Sequence, residues 1–295
     1  MTRRTFISTT AASSLALGLN VDAGEGRGAE AGLAGEVGIT TGSFMAHLRA
    51  QPALMGTLLL HLPQRMRDEL GLRVIDVLSK TMPSFEPAYL DRLRQRAADA
   101  GCVITNLKMN QTELDLADAN PEVRRAALGS HRQAIDAAHR LGCRWVRPTL
   151  RGPRPDFNVL VASLRELIDY AAPKDLSLLL ENQWWLQDDP AAIPEILARV
   201  GPGIAAAPDT GNWTDRARYE GLRQSFPAAV TCDFKAFQLG PRDEHPRYDL
   251  KRCFDIGWAA GFRGPWCLEH FNDSLEGLWR GFGRLRDLLQ GWMKS

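Results

Sequence analysis

The sequence predicts a single-domain α/β protein that folds as a closed (β/α)8 barrel. From residue 37 onward, short apolar or β-branched runs alternate with segments of helical period, which is typical of repeated βα units and a parallel sheet. Eight such runs are present, and the 295 residues, 44% of them hydrophobic, lie near the ~250 residues of a typical barrel. No glycine-rich phosphate turn follows an early strand, which disfavours a doubly wound open sheet.

The eight predicted strands are short and share a β-branched or aliphatic composition. They span residues 37–40, 73–77, 103–107, 145–149, 176–180, 204–208, 230–234 and 265–268. Eight strands, each with a covering helix, close into a barrel and leave no exposed sheet edge.

Several helices between these strands carry recognisable start and stop signals. Asn120 caps a helix that begins at Pro121 and stops at Gly142, and Asp156 precedes an amphipathic segment. Asp189-Pro190 is predicted to open another helix. Two further helices are predicted at 248–260, before Gly261, and at 275–292. The stretch 44–72 leaves room for an extra helix or a lid over the barrel mouth.

The N-terminal segment differs in composition from the remainder of the chain. Arg3-Arg4, the following Phe6 and a weakly apolar stretch without an acidic residue before Asp22 are typical of a twin-arginine export signal. The alternative is a disordered basic tail. The predicted division is a signal at 1–23, a flexible lead-in at 24–35 and the barrel at 36–295. The protein is therefore expected in the periplasm or otherwise outside the cytoplasm, and the apolar stretch is too short for stable membrane insertion.

Charge and cysteine usage exclude several classes of function. With 36 basic and 35 acidic residues, the chain has no broad electrostatic footprint for nucleic acid or an anionic membrane. The five cysteines are widely separated and form no Cys-x-x-Cys pair, so they are predicted to be small core residues.

Four carboxylates lie at or just beyond the ends of the last four predicted strands. They are Glu181, Asp209, Asp233 and Glu269. Because the active sites of such barrels gather at the carboxyl ends of the strands, these side chains should converge and repel one another. One bound divalent cation would relieve that repulsion. Oxygen ligands favour Mn²⁺ or Mg²⁺, although Co²⁺ and Zn²⁺ can occupy similar sites.

The motifs Glu181-Asn182, Asp209-Thr210-Gly211-Asn212 and Glu269 resemble those of the xylose-isomerase-like barrel superfamily, the sugar phosphate isomerase/epimerase group. The resemblance extends over roughly residues 37–292. It implies a single-metal site with a Glu, Asp, His, Glu quartet, of which three ligands match. The usual His-x-Lys is replaced by Asp233-Phe234-Lys235, which makes the ligand set more negative.

The resemblance implies a metal-dependent sugar isomerase or epimerase that works through an enediolate, with one of Glu181 and Glu269 as the base and the other as the acid. A non-phosphorylated sugar is expected, since the protein is predicted to be exported and no Lys/Arg-rich loop or glycine nest is visible. Two alternatives remain open: a lyase or hydrolase of a keto-sugar glycoside on the same metal site, and a non-catalytic sugar-binding barrel. A DNA-repair endonuclease with a trinuclear zinc site is disfavoured, because the chain has only six histidines.

Four residues beside the carboxylates are candidate substrate contacts: Asn212, Lys235, Arg147 and Trp213. Asn212 could instead cap a helix, Arg147 could form a structural ion pair, and Trp213 could pack in the core. Lys235 should point the same way as Asp233 and could pair with it or with a substrate oxygen. Three tryptophans, Trp258, Trp279 and Trp292, are available for helix packing or for contacts in a homo-oligomer.

Overall fold

The computed structural model describes residues 32–110 and 114–295, and within them it confirms the predicted barrel. The predicted signal and the lead-in as far as residue 31 lie outside the described residues. The strands are β1 Val37–Thr40, β2 Val74–Leu78, β3 Val103–Lys108, β4 Trp145–Arg147, β5 Ser177–Leu180, β6 Ile204–Ala206, β7 Cys232–Ala236 and β8 Trp266–His270. They form one parallel sheet in the order β6-β5-β4-β3-β2-β1-β8-β7.

The two ends of this sheet, β6 and β7, are joined by backbone hydrogen bonds. These bonds link the end of β6 and the residues after it to β7 and the residues before it. Val230 N–H donates to the Ala206 carbonyl over 3.1 Å, and Asp233 N–H donates to the Pro208 carbonyl over 3.0 Å. Thr210 N–H in turn donates to the Asp233 carbonyl over 2.9 Å. The eight strands therefore close into a barrel, and these bonds place the segment after β6 beside β7.

Two predicted strands end two residues earlier in the structure than in the prediction. The strand predicted at 145–149 ends at Arg147, and the strand predicted at 204–208 ends at Ala206. Pro148 follows the first and Pro208 lies two residues beyond the second, and proline has no N–H to donate to a ladder.

The helices cover the outside of the sheet. They are α1 Met45–Ala50, α2 Leu58–Leu70, α3 Pro87–Asp99, α4 Pro121–Leu141, α5 Phe157–Ala171, α6 Ala192–Val200, α7 Arg218–Ser225, α8 Leu250–Ala259 and α9 Leu275–Trp292. The Asn120 side chain accepts from Glu122 N–H at the start of α4, and Gly142 ends that helix at φ +78°. Helices α1 and α2 occupy the stretch for which an extra helix was predicted.

The helix predicted to start at Asp189-Pro190 begins later, at Ala192. A short 3₁₀ helix, Trp184–Asp188, precedes it. The Asp189 side chain accepts from Ala191 N–H over 3.2 Å and so stabilises the turn between the two helices, not the first turn of α6.

Alternation along the strands divides the buried residues into an outer core beneath the helices and a smaller apolar layer inside the barrel. The inner layer consists of Leu33, Val74, Trp145, Leu179, Ala207 and Cys267. Leu33, only 2% exposed, belongs to the segment predicted as a flexible lead-in. The residues of that segment within the structure form a turn instead, and Leu33 joins the inner apolar layer.

The three tryptophans considered for subunit contacts pack within the chain. Trp279 lies against Phe44 and Phe282. Trp258 and Trp292 both pack on Phe254. Helix packing therefore accounts for them without a second copy.

We expect Trp145→Ala to destabilise the fold by about 3–5 kcal/mol, the usual cost of removing a large aromatic side chain from a core. Trp145 is 3% exposed and is the bulkiest side chain of the inner layer. Urea denaturation followed by circular dichroism measures the change. Trp184→Ala is the matched control, since Trp184 is 41% exposed. Equal losses in the two variants would contradict a packed barrel interior.

Candidate active site

The predicted carboxylates converge inside the carboxyl end of the barrel. One carboxylate oxygen each from Glu181, Asp209 and Asp233 lie within 4.8 Å of one another, and all three residues are buried. Glu269 lies outside this group of three, and its side chain is the most exposed of the quartet at 14%. The structure therefore places three predicted ligands together and the fourth nearer the opening.

Lys235 links Glu269 to the group of three. Its Nζ lies 2.7 Å from Asp209 Oδ2 and 3.1 Å from Glu269 Oε2, and it donates to Asn212 Oδ1 over 2.7 Å. A Cβ on Gly211 would lie 2.7 Å from Lys235 Cδ, so glycine at this position leaves space for the lysine side chain. Lys235 was predicted to pair with Asp233 or with substrate. The ion pairs that it forms are instead with Asp209 and Glu269.

Asp233 pairs with a residue that the sequence did not indicate, Lys108 at the end of β3. The Lys108 ammonium donates to both carboxylate oxygens of Asp233, over 2.5 Å to Oδ2. It also donates to Thr40 Oγ1 over 3.2 Å and lies 3.5 Å from Asp76 Oδ2. Asp76 is buried and accepts from the Thr105 hydroxyl over 2.6 Å. The candidate site thus extends to the first three strands.

Glu181 is held by an arginine and an amide. Arg147 Nε lies 2.9 Å from Glu181 Oε2, and Asn212 Nδ2 donates to Glu181 Oε1 over 2.9 Å. Arg147 also donates to Gln183 Oε1 over 3.1 Å. The structure therefore contains the ion pair considered for Arg147. Asn212 bridges Glu181 and Lys235 and does not cap a helix, because α7 begins at Arg218 with Ala217 as its N-cap.

Negative charge exceeds positive charge in this cluster. Five carboxylates (Asp76, Glu181, Asp209, Asp233 and Glu269) face three cations (Lys108, Arg147 and Lys235), an excess of two negative charges when every group is ionised. Burial raises the pKa of Asp209 to about 6 and that of Asp233 to about 7, against the opposing effects of Lys235 and Lys108. One divalent cation would neutralise the excess.

The metal-free protein is expected to lose thermal stability as the pH rises from about 4 to about 7. A carboxyl whose pKa is about 7 in the folded state, as for Asp233, keeps its proton there while the unfolded chain has lost it. The stability that this proton contributes declines as the pH rises from the ordinary pKa of 3.8 to the folded-state pKa, and it is lost above that value. Thermal denaturation with a chelator should show a fall in Tm of about 3 °C or more. Saturating Mg²⁺ should reduce this fall. A Tm that does not change with pH in the presence of the chelator would contradict the prediction.

The donor chemistry of the cluster fits a divalent metal ion. Asp209 Oδ1 accepts from Gly211 and Asn212 N–H, whereas its buried Oδ2 is met among the described residues by the Lys235 ammonium at 2.7 Å. Glu181 Oε2 is likewise buried and is met by Arg147 Nε at 2.9 Å. Both oxygens have only a nearby cation for compensation, so each keeps a lone pair for a hard metal ion.

Two tryptophans that lie close to site residues in the sequence differ in exposure. Trp213, predicted as a substrate contact, is 1% exposed, and a Cβ on Gly221 would lie 2.5 Å from its ring. Its ring therefore packs in the core and is not presented to the mouth. Trp184, three residues after Glu181, has φ +55°, is 41% exposed, and lies 5.3 Å from the Arg151 guanidinium.

The comparisons with known proteins agree with this architecture. A family model described as "Xylose isomerase-like TIM barrel" matches residues 68–294. No curated protein matches the sequence at a significant level. Within the described residues, no helix has the length and apolar character needed to cross a membrane.

Solved structures with the same fold include three informative neighbours, all below 20% identity. The apo 3-keto-D-glucoside 4-epimerase from E. coli superposes with a TM-score of 0.65 at 14% identity, covering 87% of this chain and 99% of that one. A xylose isomerase-like barrel protein from Mycobacterium smegmatis in complex with magnesium gives 0.63 at 17%, covering 88% and 97%. D-psicose 3-epimerase with D-tagatose from Clostridium cellulolyticum H10 gives 0.61 at 13%, covering 80% and 91%. At these identities the likeness establishes the fold alone.

Proposed function

The chain belongs to the xylose isomerase-like TIM barrel family, and on that premise we propose that it is a sugar isomerase or epimerase that uses one divalent cation and two glutamates. The observation that carries this proposal is the buried group of Glu181, Asp209 and Asp233, with Glu269 beside it at the opening. A barrel that only binds sugar has no use for two negative charges in excess at its centre. The sugar epimerases among the structural neighbours also support this class of reaction.

In this proposal Glu181, Asp209, Asp233 and Glu269 hold the cation, with Mn²⁺ or Mg²⁺ favoured and Co²⁺ or Zn²⁺ as further candidates. A bound divalent cation would polarise neighbouring carbonyl and hydroxyl oxygens of the sugar and stabilise an enediolate. A structural neighbour bound to magnesium supports the choice of a hard ion.

The two glutamates are suited to opposite roles in proton transfer. Burial disfavours the charge of Glu181, but Arg147, Lys108 and Lys235 outweigh it and lower the pKa of this residue. Burial raises the pKa of Glu269, which Lys235 only partly offsets. The lowered pKa suits Glu181 to accept a proton from the substrate, and the raised pKa suits Glu269 to hold a proton to deliver. The roles reverse in the back reaction.

Three polar residues would orient the sugar and stabilise charge on it. Burial opposes the charge of Lys235, but Asp209 and Glu269 outweigh it and raise the pKa of this lysine, which keeps its ammonium charged and able to stabilise a developing oxyanion. Asn212 fixes Lys235 relative to Glu181 through the two hydrogen bonds described above. Arg147 lies on the opposite side of Glu181 and can donate to a substrate hydroxyl.

We expect Trp184→Ala to raise KM for the sugar by about 3- to 10-fold with little change in kcat, the usual size of one aromatic contact. The exposed ring of Trp184 lies three residues beyond Glu181 in a backbone conformation that a bulky residue rarely adopts, which indicates a selected position. Steady-state kinetics measures the split, and Trp184→Phe should retain most of the affinity. An unchanged KM in the alanine variant would remove Trp184 from the sugar site.

The proposed substrate is a non-phosphorylated sugar or a keto-sugar glycoside. The second candidate is favoured by the E. coli neighbour, whose name describes a 3-keto-D-glucoside epimerase. A lyase or hydrolase of such a glycoside would use the same acidified C–H bond, with loss of a leaving group in place of reprotonation.

We also propose that residues 1–23 direct the protein out of the cytoplasm by the twin-arginine route, which is compatible with a site assembled before export.

Two measurements test this proposal together. Metal content is measured by mass spectrometry on protein purified without residues 1–23, and incorporation of deuterium from D2O is followed by NMR for a panel of neutral sugars and keto-glycosides. We expect about one divalent ion per chain and exchange at a carbon next to a carbonyl. Exchange with inversion or carbonyl migration indicates an epimerase or isomerase, and loss of the aglycone indicates a lyase. The proposal would be contradicted if the protein bound none of these ions and catalysed deuterium exchange in none of the sugars.

A further inference from the structure

Lys108 occupies an unusual position for a lysine. Its side chain is only 3% exposed, and its ammonium lies within the carboxylate cluster, not at the rim of the barrel. Its contacts are both oxygens of Asp233, the Thr40 hydroxyl at 3.2 Å and Asp76 Oδ2 at 3.5 Å. Burying a charged lysine is costly unless it is paired in this way, so the contact with Asp233 is central to the local structure.

Asp233 differs from the two carboxylates beside it. Asp209 and Glu181 each meet their neighbouring cation through one oxygen, Asp209 Oδ2 at 2.7 Å from Lys235 Nζ and Glu181 Oε2 at 2.9 Å from Arg147 Nε, so each oxygen keeps a second lone pair. Both oxygens of Asp233 accept from Lys108. An incoming divalent cation that binds Asp233 must therefore displace the ammonium or approach it closely, and two cations a few ångströms apart in a buried site repel each other strongly.

We infer that Lys108 is a resident cation that competes with the divalent ion for Asp233 and sets the affinity of the site for that ion. This inference rests on the metal site of the proposed function. The Lys108–Asp233 pair has no net charge, so Asp233 contributes little to metal binding while Lys108 is present. Glu181, Asp209 and Glu269, three carboxylates that face only two cations, Arg147 and Lys235, then supply most of the attraction for the ion. Lys108 is a positioning residue in this scheme and makes no contact with the reacting atoms.

The test is Mn²⁺ binding by isothermal titration calorimetry on the full chain. We expect Lys108→Met to raise the affinity for Mn²⁺ by about 10-fold or more, since it removes a unit charge a few ångströms from the ligands. Lys108→Arg keeps the unit charge and should not reproduce this gain in affinity. Lys251→Met, which removes an exposed lysine paired with Asp255 on α8, is the matched control and should change nothing.

A second pair of variants covers the case in which Lys108→Met fails to fold. Asp233→Asn leaves Lys108 in the site with a weakened partner, so Mn²⁺ affinity should fall below that of the parent. Adding Lys108→Met to Asp233→Asn removes the unpaired charge and should raise affinity by about 10-fold or more relative to Asp233→Asn. Equal or lower affinity in the Met variant of either background would overturn the inference.

The outcomes separate this inference from the proposed function. If the parent binds Mn²⁺ and Lys108→Met binds it no more tightly, the inference is wrong and the proposed function stands. If the parent binds no divalent ion but Lys108→Met does, the inference is supported and the proposed metal-dependent function of the natural chain is wrong. If none of the variants binds Mn²⁺, both fail.

Discussion

Glu181→Gln is expected to lower sugar turnover by about 10³-fold or more and to reduce the bound metal, because Glu181 serves as both a ligand and a base in the proposed reaction. Glutamine keeps an oxygen for Asn212 but loses the charge that pairs with Arg147 over 2.9 Å. Deuterium exchange by NMR and metal content by mass spectrometry give the two readouts. Retention of both would show that the reaction does not depend on Glu181.

The variant also leaves Arg147 buried without its ion-pair partner, which can cost stability independently of chemistry. Its Tm and circular dichroism spectrum must therefore be compared with those of the parent before activity is interpreted. Glu276→Gln is the matched control, since Glu276 lies on α9 with its side chain 82% exposed. This variant should keep metal, stability and turnover.

Glu269→Gln is expected to lower the rate of epimerisation or isomerisation by about 10³-fold. The metal should bind more weakly but remain detectable, because Glu181 and Asp209 remain as ligands. In an epimerase, the remaining glutamate should still exchange the substrate proton in one epimer with solvent. Exchange without inversion would be the signature of two glutamates acting on opposite faces of the sugar.

The NMR experiment starts from each epimer separately in D2O with saturating metal. Exchange should persist from one epimer only, and inversion should be lost from both. Inversion at the parental rate would exclude Glu269 as the second acid–base group. Loss of exchange from both epimers with full metal occupancy would instead indicate that a single glutamate moves the proton on both faces.

Much of the architecture could be predicted from local signals in the sequence. Residues 37–40 and 275–292 have the bounds that were predicted, and Asn120 and Gly142 delimit their helix as expected. These signals are local because strand period, capping side chains and left-handed glycines act within a few residues. The start of α6 was wrong by a few residues, because Asp189-Pro190 also fits the turn that precedes the helix.

The sequence by itself determined the barrel and the convergence of four strand-end carboxylates, since the carboxyl ends of parallel strands must meet at one end of a closed sheet. Only the tertiary structure decided which cation pairs with which carboxylate. Lys108 and Asp233 are separated by 125 residues, so no local pattern records their contact. The ladder of β2 and β3 also shifts register, pairing Ile75 with Ile104 but Asp76 with Asn106. Strict alternation from Val103 would turn Lys108 outward, and the extra residue in β3 turns it into the barrel instead.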